Sequence, residues 1–203
     1  MDESNVLPNG QLFKNRFYDK ITRTHIAVPL TIFYGAGMFI LFYEIIIKPL
    51  PHGFIVIAFF AGLFSFTLFE YLFHRFVFHM PTNTPRREKI QFSIHGAHHQ
   101  NPRDKLRLAM PPYFSVVLAT IVLSFFYLLQ KNYGLSFGGG FLTGYAAYLT
   151  IHYSIHTIIP PKNFLRYLWI HHSYHHYKSM KMAFGVSSPL WDYVFGTKPV
   201  YSR

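Results

Sequence analysis

Ten of the thirteen histidines fall into four tight groups along the chain. The groups are His74 and His79; His95, His98 and His99; His152 and His156; and His172, His175 and His176. Residues three or four positions apart on a helix share a face, so such a group presents two ring nitrogens to one ion. Imidazole suits iron, zinc, copper and nickel. The pattern predicts a centre for two metal ions, with five imidazoles for each ion.

The spacing of His74 and His79 differs from that of the other groups. They lie five positions apart, and a regular helix does not place both on one side. Two interpretations stay open: the helix ends or distorts near Pro81, or the two rings serve different ions. The remaining histidines, His25, His52 and His171, fall outside the repeated spacing and are predicted not to bind metal.

Other kinds of metal protein fit the pattern less well. The chain has no cysteine, whereas a structural zinc site closes with four ligands and usually includes cysteine. A haem held by two histidines does not account for the adjacent pairs His98/His99 and His175/His176. A metal transporter would need polar residues across the bilayer, and the apolar stretches offer no such pathway.

The composition indicates an integral membrane protein. Of the residues, 51% are hydrophobic and 13% are charged, against about 25% charged in an ordinary soluble protein. Four stretches approach the roughly 20 apolar residues that cross a bilayer: residues 26–47, 54–73, 113–129 and 137–159. Short turns at residues 48–53 and 131–136 divide them into two hairpins. We predict an all-α fold with four transmembrane helices and a single domain over residues 1–203.

The distribution of positive charge predicts the orientation, because cytoplasmic loops are enriched in Lys and Arg. The N-terminal segment, the loop 74–111 and the C-terminal region hold four, seven and six of these residues, against one in each short turn. Both termini and a histidine-rich helical cap are therefore expected on the cytoplasmic side, in a bacterial inner membrane or the endoplasmic reticulum. The first 25 residues lack an apolar core, which disfavours a cleavable signal peptide.

The net charge of +11 does not by itself indicate a nucleic-acid partner. Nucleic-acid binders place Lys and Arg on one face of a soluble core, without long uncharged runs. Two acidic residues lie near the histidine groups. Glu70 precedes His74 by one helical turn and either orients a ligand ring or pairs with Arg75. Asp192 is a further candidate for orienting a ring.

Five segments of the chain resemble the fatty acid hydroxylase superfamily, most closely the fatty acid 2-hydroxylases. They are FEYLFHRFVFH (69–79), IHGAHHQNPRDKLRLAMPP (94–112), HYSIH (152–156), HHSYHH (171–176) and FGVSSPLWDYVFGT (184–197). The resemblance places the dimetal ligands on the same ten histidines. It implies a four-helix membrane enzyme with a cytoplasmic metal cap that adds a hydroxyl group at C2 of a long acyl chain, often one in a sphingolipid.

The resemblance also implies two irons, dioxygen and an external supply of electrons. Zinc has no redox chemistry, although it can occupy the same imidazoles in the isolated protein. Many relatives carry a cytochrome b5 domain, whereas 25 residues precede the first span here and contain no HPGG segment. We therefore expect a separate cytochrome b5-like donor. The acyl tail is expected between the second and fourth spans.

Three alternative functions stay open at this point. A sterol or carotenoid hydroxylase and a desaturase use similar histidine clusters on membrane helices. A non-catalytic membrane protein that binds zinc would also explain the ten histidines. The mass of the product separates hydroxylation from the loss of two hydrogens, and the effect of iron removal separates an enzyme from a binding protein.

Overall fold

The computed structural model describes residues 15–201, and this part of the chain is helical without a strand. Its α-helices are α1 (Arg16–Ile21), α2 (Ala27–Ile47), α3 (His52–Phe73), α4 (Pro85–Gln91), α5 (Ala97–Gln100), α6 (Pro112–Gln130), α7 (Asn132–Thr157), α8 (Arg166–Tyr177) and α9 (Leu190–Val194). Two π-helical segments, His74–Phe78 and Phe92–Gly96, directly follow α3 and α4. The all-α prediction is confirmed for this range. The prediction about a signal peptide concerns the first 25 residues, and residues 1–14 of these lie outside the described range.

Within residues 15–201, three helices are long and apolar enough to cross a membrane: Ala27–Ile47, His52–Phe78 and Pro112–Gln130. They correspond to the first, second and third predicted spans. The fourth predicted span corresponds to α7, which is less apolar because glycine, threonine, serine and histidine are frequent in it. Many α7 residues are buried against α2, α3 and α6. A helix that mostly contacts other helices requires fewer lipid-facing apolar side chains.

Glycines bring α7 into backbone contact with α3. A Cβ atom on Gly140 would lie 1.8 Å from the Phe59 carbonyl oxygen, and one on Gly62 would lie 2.0 Å from the Phe137 carbonyl oxygen. Small residues permit such close approach of membrane helices. The expected acyl groove between the second and fourth spans is therefore wrong along this contact, because the two backbones leave no space there.

The turn between α6 and α7 is shorter than predicted. Lys131 alone breaks the helix, with φ of 54°, and α7 resumes at Asn132. The predicted turn over residues 131–136 is wrong after its first position. A Cβ on Gly134 would lie 1.9 Å from the Phe126 carbonyl oxygen, so glycine permits the two helices to fold back at this point.

The histidine-bearing elements lie at the carboxyl-terminal ends of α3 and α7 and beyond them. The second π-helical segment and α5 form one short helical stretch. It is followed by an irregular stretch, residues 101–111. Together with α4, α8 and α9, these elements form one assembly at one end of the long helices, called the cap below.

Candidate metal centre

All ten predicted histidines come together in two groups of five. The first group is His74, His79, His95, His99 and His175, and the second group is His98, His152, His156, His172 and His176. Within each group, the ring nitrogens that face one another all lie within 4.8 Å. Neither group contains a carboxylate within residues 15–201. Each group therefore offers one ion a donor set made only of imidazole.

The two HxxHH motifs are divided between the groups. His95 and His99 contribute to the first group, whereas His98 contributes to the second. In the other motif His172 and His176 belong to the second group and His175 to the first. On a helix, positions i and i+4 point in nearly the same direction, whereas the adjacent positions i+3 and i+4 diverge by about 100°. Each motif therefore links the two groups, which holds them side by side.

The π-helical segment explains how His74 and His79 join one group. The His79 amide donates to the His74 carbonyl across five positions, at 3.2 Å. This wider turn brings positions i and i+5 to the same side of the helix. The ring centroids of His74 and His79 are 5.1 Å apart. The predicted distortion is confirmed, and it begins at His74 itself, before Pro81.

The Nε2 atoms converge at a spacing that fits a metal ion. In the first group, the Nε2–Nε2 distances are 3.1 Å for His74–His95, 3.0 Å for His95–His99 and 2.9 Å for His79–His175. In the second group, they are 3.1 Å for His98–His152 and His152–His156, and 3.0 Å for His156–His172 and His172–His176. Metal–nitrogen bonds of about 2.1 Å at right angles put neighbouring nitrogens about 3 Å apart. Lone pairs facing one another at this distance repel unless a proton or a metal ion is shared between them. The ten residues thus fit two transition-metal ions.

His79, His99 and His175 have lowered pKa values, which favours the neutral form that binds metal. Burial, together with the neighbouring imidazole of His175, lowers the pKa of His79 to about 3. The same causes lower the pKa of His99 to about 3. Burial lowers the pKa of His175 to about 4. Protons therefore do not compete for these nitrogens near neutral pH.

The outer ring nitrogens distinguish the two groups. In the first group His74 Nδ1–H donates to the Phe184 carbonyl at 2.6 Å, and His175 Nδ1–H donates to the Met182 carbonyl at 2.8 Å. These bonds fix the tautomer that leaves Nε2 free for an ion. In the second group four buried Nδ1 atoms have no hydrogen-bond partner among residues 15–201: those of His98, His152, His172 and His176.

Glu70 takes neither of the two positions predicted for it. Its Oε1 accepts from the amides of Val186 and Ser187, at 2.6 and 2.9 Å, and its Oε2 accepts from the Ser187 hydroxyl. Arg75 instead donates to the Tyr71 hydroxyl at 2.8 Å. The segment after α8 folds against the end of α3 and brings its amides to the carboxylate. Glu70 therefore neither hydrogen-bonds a ligand ring nor pairs with Arg75, and both predictions are corrected.

Asp192 also contacts no ring of either group. It accepts from the amides of Phe184 and Gly185, at 2.9 and 2.7 Å, and from the Thr197 hydroxyl at 2.7 Å. His171 Nε2–H completes the set at 3.0 Å. Burial would raise the pKa of Asp192, but hydrogen bonds from these four partners outweigh it and hold the pKa below its ordinary value. Asp192 was predicted to orient a ligand ring, but the ring that it contacts is that of His171, which lies outside both groups.

His171 lies outside both groups, as do the exposed His25 and His52. It is nevertheless fully buried, and the Tyr201 hydroxyl lies 2.6 Å from its Nδ1. No sequence pattern indicated that His171 is a buried partner of Asp192, beyond its position next to an HxxHH motif. Tyr148 is a further neighbour of the centre, since its ring stacks on His152 with centroids 5.4 Å apart.

Comparison with known proteins identifies the family. The family model described as Fatty acid hydroxylase matches residues 59–197. A ceramide very long chain fatty acid hydroxylase, scs7 of Schizosaccharomyces pombe, is 39% identical over 159 residues, which are 76% of this chain and 46% of that protein. A dihydroceramide fatty acyl 2-hydroxylase, FAH1 of Arabidopsis thaliana, is 40% identical over 145 residues, covering 68% and 59%.

A solved structure agrees with this assignment. The hydroxylase domain visible in full-length scs7p superposes with a TM-score of 0.82 at 34% identity, over 93% of this chain and 72% of that one. The chain spans about half the length of the curated relatives it matches. All five motifs quoted above, and all ten clustered histidines, fall inside the matched range. The chain belongs to the fatty acid hydroxylase family.

Proposed function

We propose that this chain is a dimetal, dioxygen-dependent monooxygenase that hydroxylates C2 of a long-chain acyl group, carried by a sphingolipid or as a fatty acid. The observation that carries the proposal is the convergence of ten Nε2 atoms into two adjacent groups of five at the end of apolar helices. The relatives named above, which are described as ceramide or dihydroceramide fatty acyl hydroxylases, support the same substrate class.

The ten clustered histidines are proposed as the metal ligands, each through Nε2. Iron at both groups would supply the redox chemistry for attack on an unactivated C–H bond, which zinc lacks even where it occupies the same imidazoles. The overall reaction consumes one dioxygen, two electrons and two protons. It converts the C2–H bond to C2–OH and releases one water. The electrons come from a separate donor, such as a cytochrome b5-like protein.

We propose that α7 is a fourth membrane span and that the long helices and the cap act as one domain. The position of α7 among three apolar helices supports this. The excess of Lys and Arg in the loop 74–111 and in the C-terminal region supports a cytoplasmic cap. Either a bacterial inner membrane or the endoplasmic reticulum fits this orientation. The same positive charge would attract an acidic electron donor.

The chain itself contributes placement and exclusion of water. His74 continues from α3 and His152 lies on α7, so the centre sits where both helices leave the apolar region. An acyl tail in the bilayer can then reach it with the polar head at the interface. Tyr148, buried and stacked on His152, separates the second group from the helix core. Fixing C2 near both groups is the part of catalysis that the protein supplies.

Lipid analysis of a host that lacks 2-hydroxylated acyl chains tests the function. Fed an acyl chain deuterated at C2, cells expressing the protein should form a product that has gained one oxygen atom and lost one deuterium. His98→Ala should form none. His52→Ala, which changes an exposed histidine outside both groups, should form as much as the wild type.

Other outcomes identify the alternatives. Loss of two hydrogens without added oxygen would indicate a desaturase, and an oxygen added to a sterol or carotenoid would indicate a different lipid oxidase. No product from iron-loaded wild-type protein, given a donor and an acyl substrate, would contradict the proposal and favour a zinc-binding membrane protein.

A further inference from the structure

Residues 182–188, called the carbonyl loop below, lie between α8 and α9 and contact the first histidine group. Four consecutive amides of this loop, those of residues 184–187, donate to only two carboxylates. Asp192 accepts the first two amides and Glu70 accepts the next two. Asp192 lies on α9 and Glu70 lies on α3, so the loop is hydrogen-bonded to two separate helices. Asp192 is fully buried and Glu70 is 5% exposed.

The carbonyl groups of the loop point to the histidines. The Met182 oxygen accepts from His175, and the Phe184 oxygen accepts from His74. Both rings belong to the first group. Asp192 accepts from the Phe184 amide, and the carbonyl of the same residue accepts from His74. Glu70 accepts from the amides two and three residues further along the loop. Neither carboxylate hydrogen-bonds a ring of either group in the described part of the chain.

The loop has a conformation that depends on particular residues. Ala183 adopts φ of 59°, a region that costs energy for a residue with a side chain. A Cβ atom on Gly185 would lie 2.1 Å from the Ser188 carbonyl and 2.9 Å from Asp192 Oδ2. Hydrogen bonds to two carboxylates offset the strain at Ala183 and hold the carbonyls at fixed positions.

We propose that Glu70 and Asp192 are positioning residues that act through the carbonyl loop: they fix the orientation and tautomer of His74 and His175, and so make the first group the tighter of the two metal sites. The inference rests on the proposed function, since it requires that both groups bind metal. The second group provides the contrast, because four of its five Nδ1 atoms have no partner within residues 15–201.

The expected size of the effect follows from the chemistry of metal-bound imidazole. An acceptor at Nδ1–H raises the basicity of Nε2 and holds the ring in place, and loss of such a partner lowers metal affinity about 10- to 100-fold. Glu70 and Asp192 control two rings of one group through a single loop. Removing either carboxylate should therefore weaken the first group by this factor and leave the second group unchanged.

Zinc affinity of the purified chain of 203 residues tests the inference, with Zn²⁺ alone as the probe and a chromophoric chelator as the competitor. Wild-type protein should bind two ions. Glu70→Gln and Asp192→Asn should each weaken one ion about 10- to 100-fold. Glu88→Gln, an exposed carboxylate change on α4, is the matched control and should bind as the wild type does. Ser187→Ala removes one hydrogen bond to Glu70 and gives a milder change in case the others do not fold.

Double variants identify the affected site. Combined with His152→Ala, which disables the second group, Glu70→Gln should weaken the ion that remains. Combined with His79→Ala, which disables the first group, it should leave the remaining ion unchanged. Equal weakening of both ions in Glu70→Gln, no weakening in any of the three loop variants, or a loss in the His79→Ala background would overturn the inference. Wild-type protein that binds fewer than two ions would instead contradict the proposed metal function.

Discussion

Three of the five histidines of the first group lie on or directly after a π-helical segment, whereas all five of the second group lie on α-helices. The first uses the π-helical segments His74–Phe78 and Phe92–Gly96 together with the carbonyl loop. The second draws its i, i+4 pairs from α7 and α8. Regular spacing alone is thus enough to gather imidazoles. The irregular segments add what spacing does not provide, namely backbone acceptors for the outer nitrogens.

The difference predicts that two ions with the same kind of ligand are held unequally. The rings of His74 and His175 are anchored by backbone carbonyls, and an ion bound to them benefits from fixed geometry. Four rings of the second group have no hydrogen-bond partner for Nδ1 within residues 15–201 and lack this anchor. Unequal sites of this kind are a simple way for one centre to combine a firmly bound metal with a more adaptable one.

The largest expected effect comes from removing one ring of either group. His175→Ala and His172→Ala should each reduce the metal content from two ions to one, because each ring serves a different group. Product formation should fall by more than the roughly 100-fold that loss of an outer partner costs. Elemental analysis and product assays on purified protein measure both quantities. Retention of two ions by either variant would contradict the division of the HxxHH motifs.

The second-largest expected effect is a difference between the rates at which the two groups lose their metal ions. With excess chelator, wild-type protein should release its ions in two phases that differ about 10-fold or more, the second group first. His79→Ala should show only the fast phase and His152→Ala only the slow phase. A single phase in the wild type, or the reverse assignment in the variants, would contradict the comparison.

A smaller change is expected from the backbone of the carbonyl loop. In Gly185→Ala the new Cβ meets the Ser188 carbonyl at 2.1 Å, so the loop must shift and carry the Phe184 carbonyl with it. We expect first-group zinc affinity to fall about 10-fold. Gly53→Ala, where a Cβ would have no neighbour within 4 Å, is the control. Equal affinity in the two variants would show that the loop position does not matter.

The smallest predicted effect is that of Tyr201→Phe. The change removes the hydroxyl beside His171, whose Nε2–H donates to Asp192, and Asp192 in turn holds the carbonyl loop. First-group zinc affinity should fall by a few-fold at most, well below the roughly 10-fold of a direct partner. The competition assay measures this, and a loss as large as that of Asp192→Asn would show that His171 has a more direct role.

Much of the centre was predictable because histidine spacing carries the information. The ten residues and the number of five imidazoles for each ion follow from counting positions along a helix. The same counting left two alternatives open for His74 and His79, and it placed a distortion near Pro81, whereas the π-helical segment begins at His74. The assignment of His98 and His175 to opposite groups does not follow, since spacing fixes helix faces and not which face meets which. That choice depends on how α5 and α8 pack against α7.

The fold was predictable where it depends on apolar length. The predicted spans 26–47, 54–73 and 113–129 differ from α2, α3 and α6 by no more than two residues at each end. The fourth begins five residues earlier than predicted, at Asn132, because glycine-mediated contact with α6 replaces a turn. The position of Glu70 depends on backbone amides 116 and 117 positions away, which no local pattern encodes.

X-ray absorption spectroscopy on iron-loaded, purified protein, combined with elemental analysis of the same sample, tests the central claim most directly. We expect two iron ions per chain, with nitrogen neighbours at about 2.1 Å and the multiple-scattering pattern of imidazole. Fewer than two ions, or first neighbours that are mainly oxygen without the imidazole pattern, would contradict the assignment of the ten histidines to two metal sites.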